Sequence, residues 1–390
     1  MSYLEQLKAN VNENLDEYMS AVKQMYDHPE IGNQEFESMA LLGKMLEEKG
    51  FEVETGYVVP TGFIGKYSSK KPGPTIAYLC EYDALPEVGH GCGHNLIAGI
   101  GVGAGVALKS IIDQLGGQVW VVGTPAEENF GGKVSMAEAG VFDNVDVAMM
   151  IHPSTYNGLG GRTNALNPVK FEFFGKNAHG CRPQEGKSAL DAAVLTYINI
   201  NLLRQFAEPN TYIHGIIREG GGAANVIPAY ASMEYYFRGT TMAYVQKLTE
   251  KALKCAEAAC MATGTTFQHS IYECPYDDIN INYGLTKLLT QSYESLGITE
   301  IEPVDEVPHG STDMGSVSYR CPALHGYIKI ADECVTGHSK EMASATISPE
   351  GRKALLDGAT ALADVGAKLL TQPELLAEIK AEFENSIKKD

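Results

Sequence analysis

The sequence predicts an α/β fold: a mainly parallel sheet with helices on both faces, interrupted by a ferredoxin-like α+β insertion. Three observations carry this. At 390 residues the chain exceeds one ordinary domain of about 100 to 200 residues, so two units are expected. Up to about Ile151, short β-rich runs alternate with helix-patterned segments, as they do where helices cross between parallel strands. After about Asn164 the order changes to β-α-β-β-α-β, the pattern of a ferredoxin-like unit. Helical patterning returns from Asn280, so the insertion splits the larger unit, which is assigned to 1–165 and 278–390, with the insertion at 166–277.

The elements follow in order. Leu4, Leu7, Val11, Leu15, Met19 and Val22 form one helical stripe that breaks near Pro29, and a second helix spans Glu35 to Gly50. Strands are expected at Phe51 to Val59, Gly62 to Tyr67, Thr75 to Leu79, Gln118 to Val122 and Val145 to Ile151. A small-residue helix from about Asn95 to Leu115 lies between the third and fourth. Its glycines at 99, 101, 103 and 105 lack dinucleotide-loop spacing and are read as permitting close helix–sheet packing. The insertion runs strand (Val169 to Phe174), helix (Ser188 to Phe206), strands (Tyr212 to Arg218, Ala231 to Arg238), helix (Tyr244 to Met261) and strand (Thr266 to Glu273). An apolar run at Ala323 to Ile330 and a helical tail broken at Pro373 complete the larger unit.

Charge excludes several classes of partner. With 30 Lys and Arg against 49 Asp and Glu, the formal charge of −19 repels nucleic acid and anionic lipid. The first residues lack a basic segment followed by an apolar one, and no stretch is expected to reach a membrane span, so the chain is placed in the cytoplasm. Its eight cysteines contain no Cys-x-x-Cys pair and are expected to be reduced and mostly buried.

Chemistry-bearing residues gather after three successive strands. The first runs into Glu81-Tyr82-Asp83 and then His90-Gly91-Cys92-Gly93-His94, the second into Pro125-Ala126-Glu127-Glu128, and the third directly into His152-Pro153. The carboxyl ends of parallel strands form the ligand crevice, so a thiol, imidazoles and paired carboxylates converge on one edge. That donor set suits zinc and its neighbours, and the carboxylates extend the range toward manganese. His28, His214, His269, His309 and His325 show no such convergence and are read as structural, and Cys181, two residues after His179, as packing.

These runs, with Gly175-Lys176-Asn177-Ala178-His179, Ala224-Asn225-Val226-Ile227-Pro228 and Gly310-Ser311-Thr312-Asp313-Met314-Gly315, resemble the aminoacylase/carboxypeptidase-G superfamily of metallopeptidases. Within it they are similar to the amidohydrolase branch containing p-aminobenzoyl-glutamate hydrolase and dipeptidase-like relatives. The resemblance extends from His28-Pro29-Glu30 to His338. It implies Cys92, His94, Glu128, His152 and His338 as ligands of two divalent metal ions (Zn or Mn, with Co or Ni possible), with Cys92 bridging. It further implies Glu127 as general base and Asp83 as the carboxylate that orients a ligand histidine. His179 would be an oxyanion donor reaching the partner subunit's site. Asn225 and Arg238 would hold a substrate carboxylate, and the insertion would serve as lid and dimerisation domain. Asn95 departs from the Asp common in this branch and resembles the p-aminobenzoyl-glutamate hydrolase subgroup.

The expected protein is a homodimeric metallohydrolase that cleaves the amide of a small N-acyl amino acid, p-aminobenzoyl-glutamate-like conjugate or dipeptide with a metal-activated water. The alternative is a dipeptidase or carboxypeptidase releasing a C-terminal amino acid. A non-catalytic partner subunit is disfavoured because Glu127 and all five ligand positions are retained together.

Overall fold

The computed structural model describes residues 2–388, which form two compact units. The first takes in the chain up to Arg162, Ile279–Glu306 and the described residues from Thr312 onward, and the second holds Thr163–Asp278 with Val307–Ser311. Chain order places that last segment in the larger unit. It joins the second because Asn164 donates its amide to the Gly310 carbonyl (2.9 Å) and its Nδ2 to the Pro308 carbonyl (3.3 Å).

Along the chain come α1 (Tyr3–Asp27), α2 (Phe36–Glu48), β1 (Glu52–Thr55), β2 (Phe63–Ser68), β3 (Thr75–Cys80), α3 (His94–Leu115), β4 (Gln118–Gly123), α4 (Gly132–Glu138) and β5 (Val147–Ser154). The second unit contributes β6 (Ala165–Phe174), β7 (Ala178–His179), α5 (Ala189–Leu203), β8 (Tyr212–Glu219), β9 (Val226–Ile227), β10 (Tyr230–Gly239), α6 (Met242–Thr263) and β11 (Thr266–Ile271). The first unit resumes with α7 (Tyr283–Ser295), α8 (Met314–Ser318), β12 (Ala323–Lys329), α9 (Lys340–Ala345), α10 (Pro349–Thr371) and α11 (Pro373–Ile387). α1 opens on a capping box in which Ser2 Oγ accepts from the Glu5 amide and the Glu5 carboxylate accepts from the Ser2 amide.

The first unit carries a six-stranded sheet in the order β1-β2-β4-β3-β5-β12. Its β4-β3-β5-β12 core is parallel, and β2 and β1 add an antiparallel edge. Both faces are buried, which explains why β3 reads as one continuous apolar run. Ile76, Tyr78 and Cys80 pack in one cluster with α1, α3 and α10, while Ala77 and Leu79 pack in another that includes Met136 of α4 and Met314 and Val317 of α8.

α3 owes its glycines to crowding. A Cβ at Gly101 would lie 2.5 Å from Cys80 Sγ and one at Gly105 2.2 Å from Val121 Cγ2, against the sheet. At Gly99 it would meet Val22 and Leu355 at 2.8 Å, on the side of α1 and α10. By length and composition α3 is apolar enough to cross a membrane, contrary to the expectation that no stretch is. It is instead the central core helix, with 89% of its apolar window buried.

In the second unit four antiparallel strands run β11-β6-β10-β8, the ferredoxin-like order, with α5 and α6 packed on them. Alternation along β10 sends Ala231, Met233, Tyr235 and Phe237 into that core. β8 is an edge strand. The short β7–β9 pair, absent from the sequence reading, joins His179 to Val226.

Candidate metal centre and active site

The site is built on the carboxyl edge of the parallel strands in the first unit. Three residues past the end of β3, Asp83 is buried with both oxygens engaged. Oδ1 accepts from His94 Nδ1 (2.8 Å) and Oδ2 from the Glu128 amide (3.0 Å). Because a carboxylate only accepts, the His94 proton sits on Nδ1 and the Nε2 lone pair is left outward. Gly93, at φ +84°, lets the Cys92-Gly93-His94 turn enter α3, and a Cβ there would lie 2.4 Å from Pro153. His152, inside β5, donates Nδ1–H to the Pro153 carbonyl (2.7 Å), which likewise leaves Nε2 as an acceptor, 3.5 Å from Cys92 Sγ.

Three sets of donor atoms lie within 4.8 Å of one another: Cys92 with His94 and His152, Cys92 with Glu128 and His338, and His94 with Glu127 and Glu128. Thus all five expected ligands and the expected base fall in one place, and Cys92 belongs to two sets. His338 is the most exposed of them. It sits at φ +57° with its amide bonded to the Gly91 carbonyl (3.0 Å), and its Nε2 is 3.7 Å from Glu128 Oε1.

The residues present fit a cation. His94 Nε2, Glu81 Oε2 and Glu128 Oε1 are buried without hydrogen-bond partners. Burial pushes the Cys92 thiol up to about 12, reinforced by Glu128 and Glu127 and opposed by His94. Burial, with Glu81 and Asp313 close by, also holds Glu127 well above the usual carboxylate range. Burial drives His152 down to about 4, keeping it neutral. His94 goes the other way: burial disfavours its charge, but Asp83, Cys92 and Glu81 outweigh it. Crowded acidic groups that draw positive charge onto His94, with the neutral His152 imidazole beside them, are the electrostatics of a site completed by a positive ion.

Sequence reading missed several neighbours. Lys133, fully buried at the start of α4, pairs with Glu81 and with Asp313 (2.6 Å), and its amide bonds Asp313 Oδ2 (3.0 Å). Glu81 Oε2 is 3.3 Å from His94 Nε2. Only the position of Glu81 at a strand's carboxyl end hinted at this; nothing local marks Lys133. His325, read as structural and remote, packs 5.8 Å from the His152 ring. Burial pushes it down to about 3.

The remaining candidates lie in the second unit. His179 is exposed and accepts the Cys181 amide on Nδ1 (3.1 Å), so in the neutral ring its Nε2 carries the proton and can donate. Asn225, also exposed, is tied to this turn because its carbonyl accepts from the Gly180 amide (2.7 Å). Arg238, on β10, lies over the Tyr236 ring (5.7 Å) with a buried Nε lacking a hydrogen-bond partner. Cys181 is exposed instead of packed, because it sits on the turn after β7. All eight cysteines are free, and Cys80, Cys260 and Cys321 are buried.

A model of peptidase family M20/M25/M40 matches residues 78–364, from β3 into α10. The chain belongs to this family. Members are metal-dependent hydrolases of peptide and amide bonds, and so is this protein. Xaa-Arg dipeptidase of Mus musculus is 35% identical over 99% of this chain and 94% of its own length. One p-aminobenzoyl-glutamate hydrolase subunit from Escherichia coli K12 is 35% identical over 68% of this chain and 59% of its own. Among solved structures, an aminobenzoyl-glutamate utilization protein from Klebsiella pneumoniae aligns with a TM-score of 0.76 at 20% identity, covering 94% of this chain and 99% of that one. A dinuclear metal-binding M20 peptidase from Bacillus subtilis aligns at 0.65 and 19%, covering 91% and 99%. At these identities the two structures establish the shared fold.

Proposed function

We propose that this M20 hydrolase cleaves dipeptide-like substrates with a free carboxylate, using two divalent ions held by Cys92, His94, Glu128, His152 and His338. The observation that carries this is the membership of Cys92 Sγ in two donor sets, one with His94 and His152 and one with Glu128 and His338. Sulfur, nitrogen and oxygen donors together suit zinc or manganese, with cobalt or nickel as substitutes. Bound ions supply Lewis-acid polarisation of the amide carbonyl and acidify the attacking water. Asp83 and the Pro153 carbonyl hold the two imidazoles with Nε2 available. Glu127 takes the proton of the attacking water as the new C–O bond forms and delivers it to the leaving nitrogen as the C–N bond breaks. Asn225 and Arg238 are assigned to the substrate carboxylate, Arg238 by its two-pronged guanidinium.

Full-length similarity to a dipeptidase favours a dipeptide over p-aminobenzoyl-glutamate. The −19 charge points the same way, since it attracts a cationic side chain and repels a dianion. A reducing, cytoplasmic setting is consistent with eight free cysteines, because oxidation of Cys92 would destroy its donor function. A homodimer through the second unit is supported by an apolar outer face. Val194, Ile198 and Leu202 recur every four residues along α5, and Leu202 and Phe206 are 66% and 77% exposed. Ile216 and Ile217 are exposed on the edge strand β8.

The test is a substrate panel on chelated and remetallated protein. Xaa-Arg and Xaa-Lys dipeptides should be hydrolysed ahead of p-aminobenzoyl-glutamate, with turnover lost on chelation and restored by zinc or manganese. Full activity after exhaustive chelation overturns the metal assignment, and a preference for p-aminobenzoyl-glutamate overturns the substrate assignment.

A further inference from the structure

We propose that Glu35 is a positioning residue for Glu127, fixing the left-handed turn at Ala126 from which the Glu127 carboxylate is presented. Glu35 precedes α2, yet its side chain does not cap that helix. The capping is done by Glu30, whose carboxylate accepts from the amides of Glu37 (3.0 Å) and Ser38 (2.8 Å) and from Ser38 Oγ (2.7 Å). Glu35 is therefore left for another purpose. Its carboxylate, with no solvent exposure, accepts from the Ala126 amide (2.9 Å) and from Thr61 Oγ1 (2.8 Å). Thr61 is anchored in turn, its carbonyl accepting from Tyr82 OH (2.6 Å), and the Tyr82 ring stacks on Phe63.

Ala126 needs such a holder because its φ is +61°, a conformation disfavoured for an L residue with a Cβ. Two positions on, the Glu128 amide is bonded to Asp83. Glu127 is thus suspended between two backbone amides, each donated to a different buried carboxylate. Releasing the first lets Ala126 relax toward negative φ and swings the bonds that aim the next side chain. The segment bearing Glu35 also lies directly on the turn: a Cβ at Gly32 would be 2.5 Å from Asn129 Oδ1 and 3.0 Å from Ala126 Cβ. Such strain persists only where surrounding structure over-determines it, and it gathers at functional sites.

The inference rests on the reading of Glu127 as the base, so the test has one arm that does not depend on turnover. Glu35→Gln and Glu35→Met have nearly the same length and volume, but only glutamine can accept the Ala126 amide proton. In the metal-loaded protein, hydrogen–deuterium exchange of the 124–131 segment should stay native in Glu35→Gln and accelerate at least tenfold in Glu35→Met. With an Xaa-Arg dipeptide, Glu35→Met should lose about ten- to a hundredfold in kcat, the range expected when reacting groups are displaced by a fraction of an ångström to an ångström. Its KM should stay within about twofold of native and its metal content unchanged, and Glu35→Gln should keep kcat within about threefold. Native exchange in Glu35→Met, equal kcat losses in both variants, or a loss confined to KM overturns the assignment. If the native protein hydrolyses no dipeptide, the substrate reading fails, while the exchange comparison still judges the hold of Glu35 on the turn.

Discussion

Replacing Asp83 by Asn alters the site by one heavy atom and should weaken metal binding by about ten- to a hundredfold. Asp83 accepts on both oxygens, from His94 Nδ1 at 2.8 Å and from the Glu128 amide at 3.0 Å, in a place with almost no exposure. Asparagine offers one acceptor and one NH₂, so one of the two donors must face a donor. If the Glu128 amide keeps the oxygen, His94 can satisfy the NH₂ only by moving its own proton to Nε2, which removes the lone pair meant for the metal. If His94 keeps the oxygen, the Glu128 amide is stranded and the ligand carboxylate shifts. A hydrogen bond to a charged group contributes about 1.5–3 kcal/mol, which at about 1.4 kcal/mol per decade is roughly ten- to a hundredfold. That agrees with the 10- to 100-fold loss typical when the partner of a metal-bound histidine is removed. The assay is competition against a chromophoric chelator, with circular dichroism to verify the fold. Affinity within about threefold of native in Asp83→Asn would refute the argument that Asp83 sets the His94 tautomer.

Four further outcomes are expected. Glu127→Gln should keep metal and substrate binding but lose several orders of magnitude in kcat, whereas Glu128→Ala should lose bound metal as well; metal analysis alongside steady-state kinetics separates the two. Leu202→Asp with Phe206→Asp should shift the sedimenting species from dimer to monomer. Mixed dimers of His179→Ala and Glu127→Ala should recover up to one good site per dimer if the partner subunit's His179 serves it, and hybrids no better than their parents would deny that role. The last concerns pH: burial raises Glu35 from 4.5 to about 7, countered by its bonds from Thr61 and Ala126 and aided by Asp83. The folded state therefore holds this proton more tightly than the unfolded one. Its stabilising contribution is full below about pH 4.5 and is lost as pH rises through about 7, amounting to about 3 kcal/mol. In metal-free protein, urea unfolding should show native stability falling more steeply than that of Glu35→Gln between pH 5 and 8, and parallel profiles would refute this.

Residue order alone determined the parallel-sheet unit, the ferredoxin-like insertion and the gathering of Cys92, His94, Glu127, Glu128 and His152. Strand and helix periods are local properties, and a parallel sheet necessarily brings the carboxyl ends of its strands to one edge. Asp83 was legible for the same reason, since it follows the end of a buried strand by three residues. The glycines of α3 announced close packing, though which neighbours they admit, Cys80 and Val121 on one side and Val22 and Leu355 on the other, depends on the assembled layers. Lys133 was not legible because a lysine in a glycine-rich turn looks like any solvated cation; only folding puts it at zero exposure between Glu81 and Asp313, which lies 180 residues further along the chain. His325 escaped notice because alternation along β12 places it but does not reveal that the ring of His152, diagonal to it on β5, lies 5.8 Å away. Glu35 is the clearest case: from sequence it starts a helix, and only the tertiary fold brings the Ala126 amide, 91 residues distant, to its carboxylate. Patterns of period reveal what is near in sequence, whereas compensation of buried charge and strain is settled between segments that meet only when the chain closes on itself.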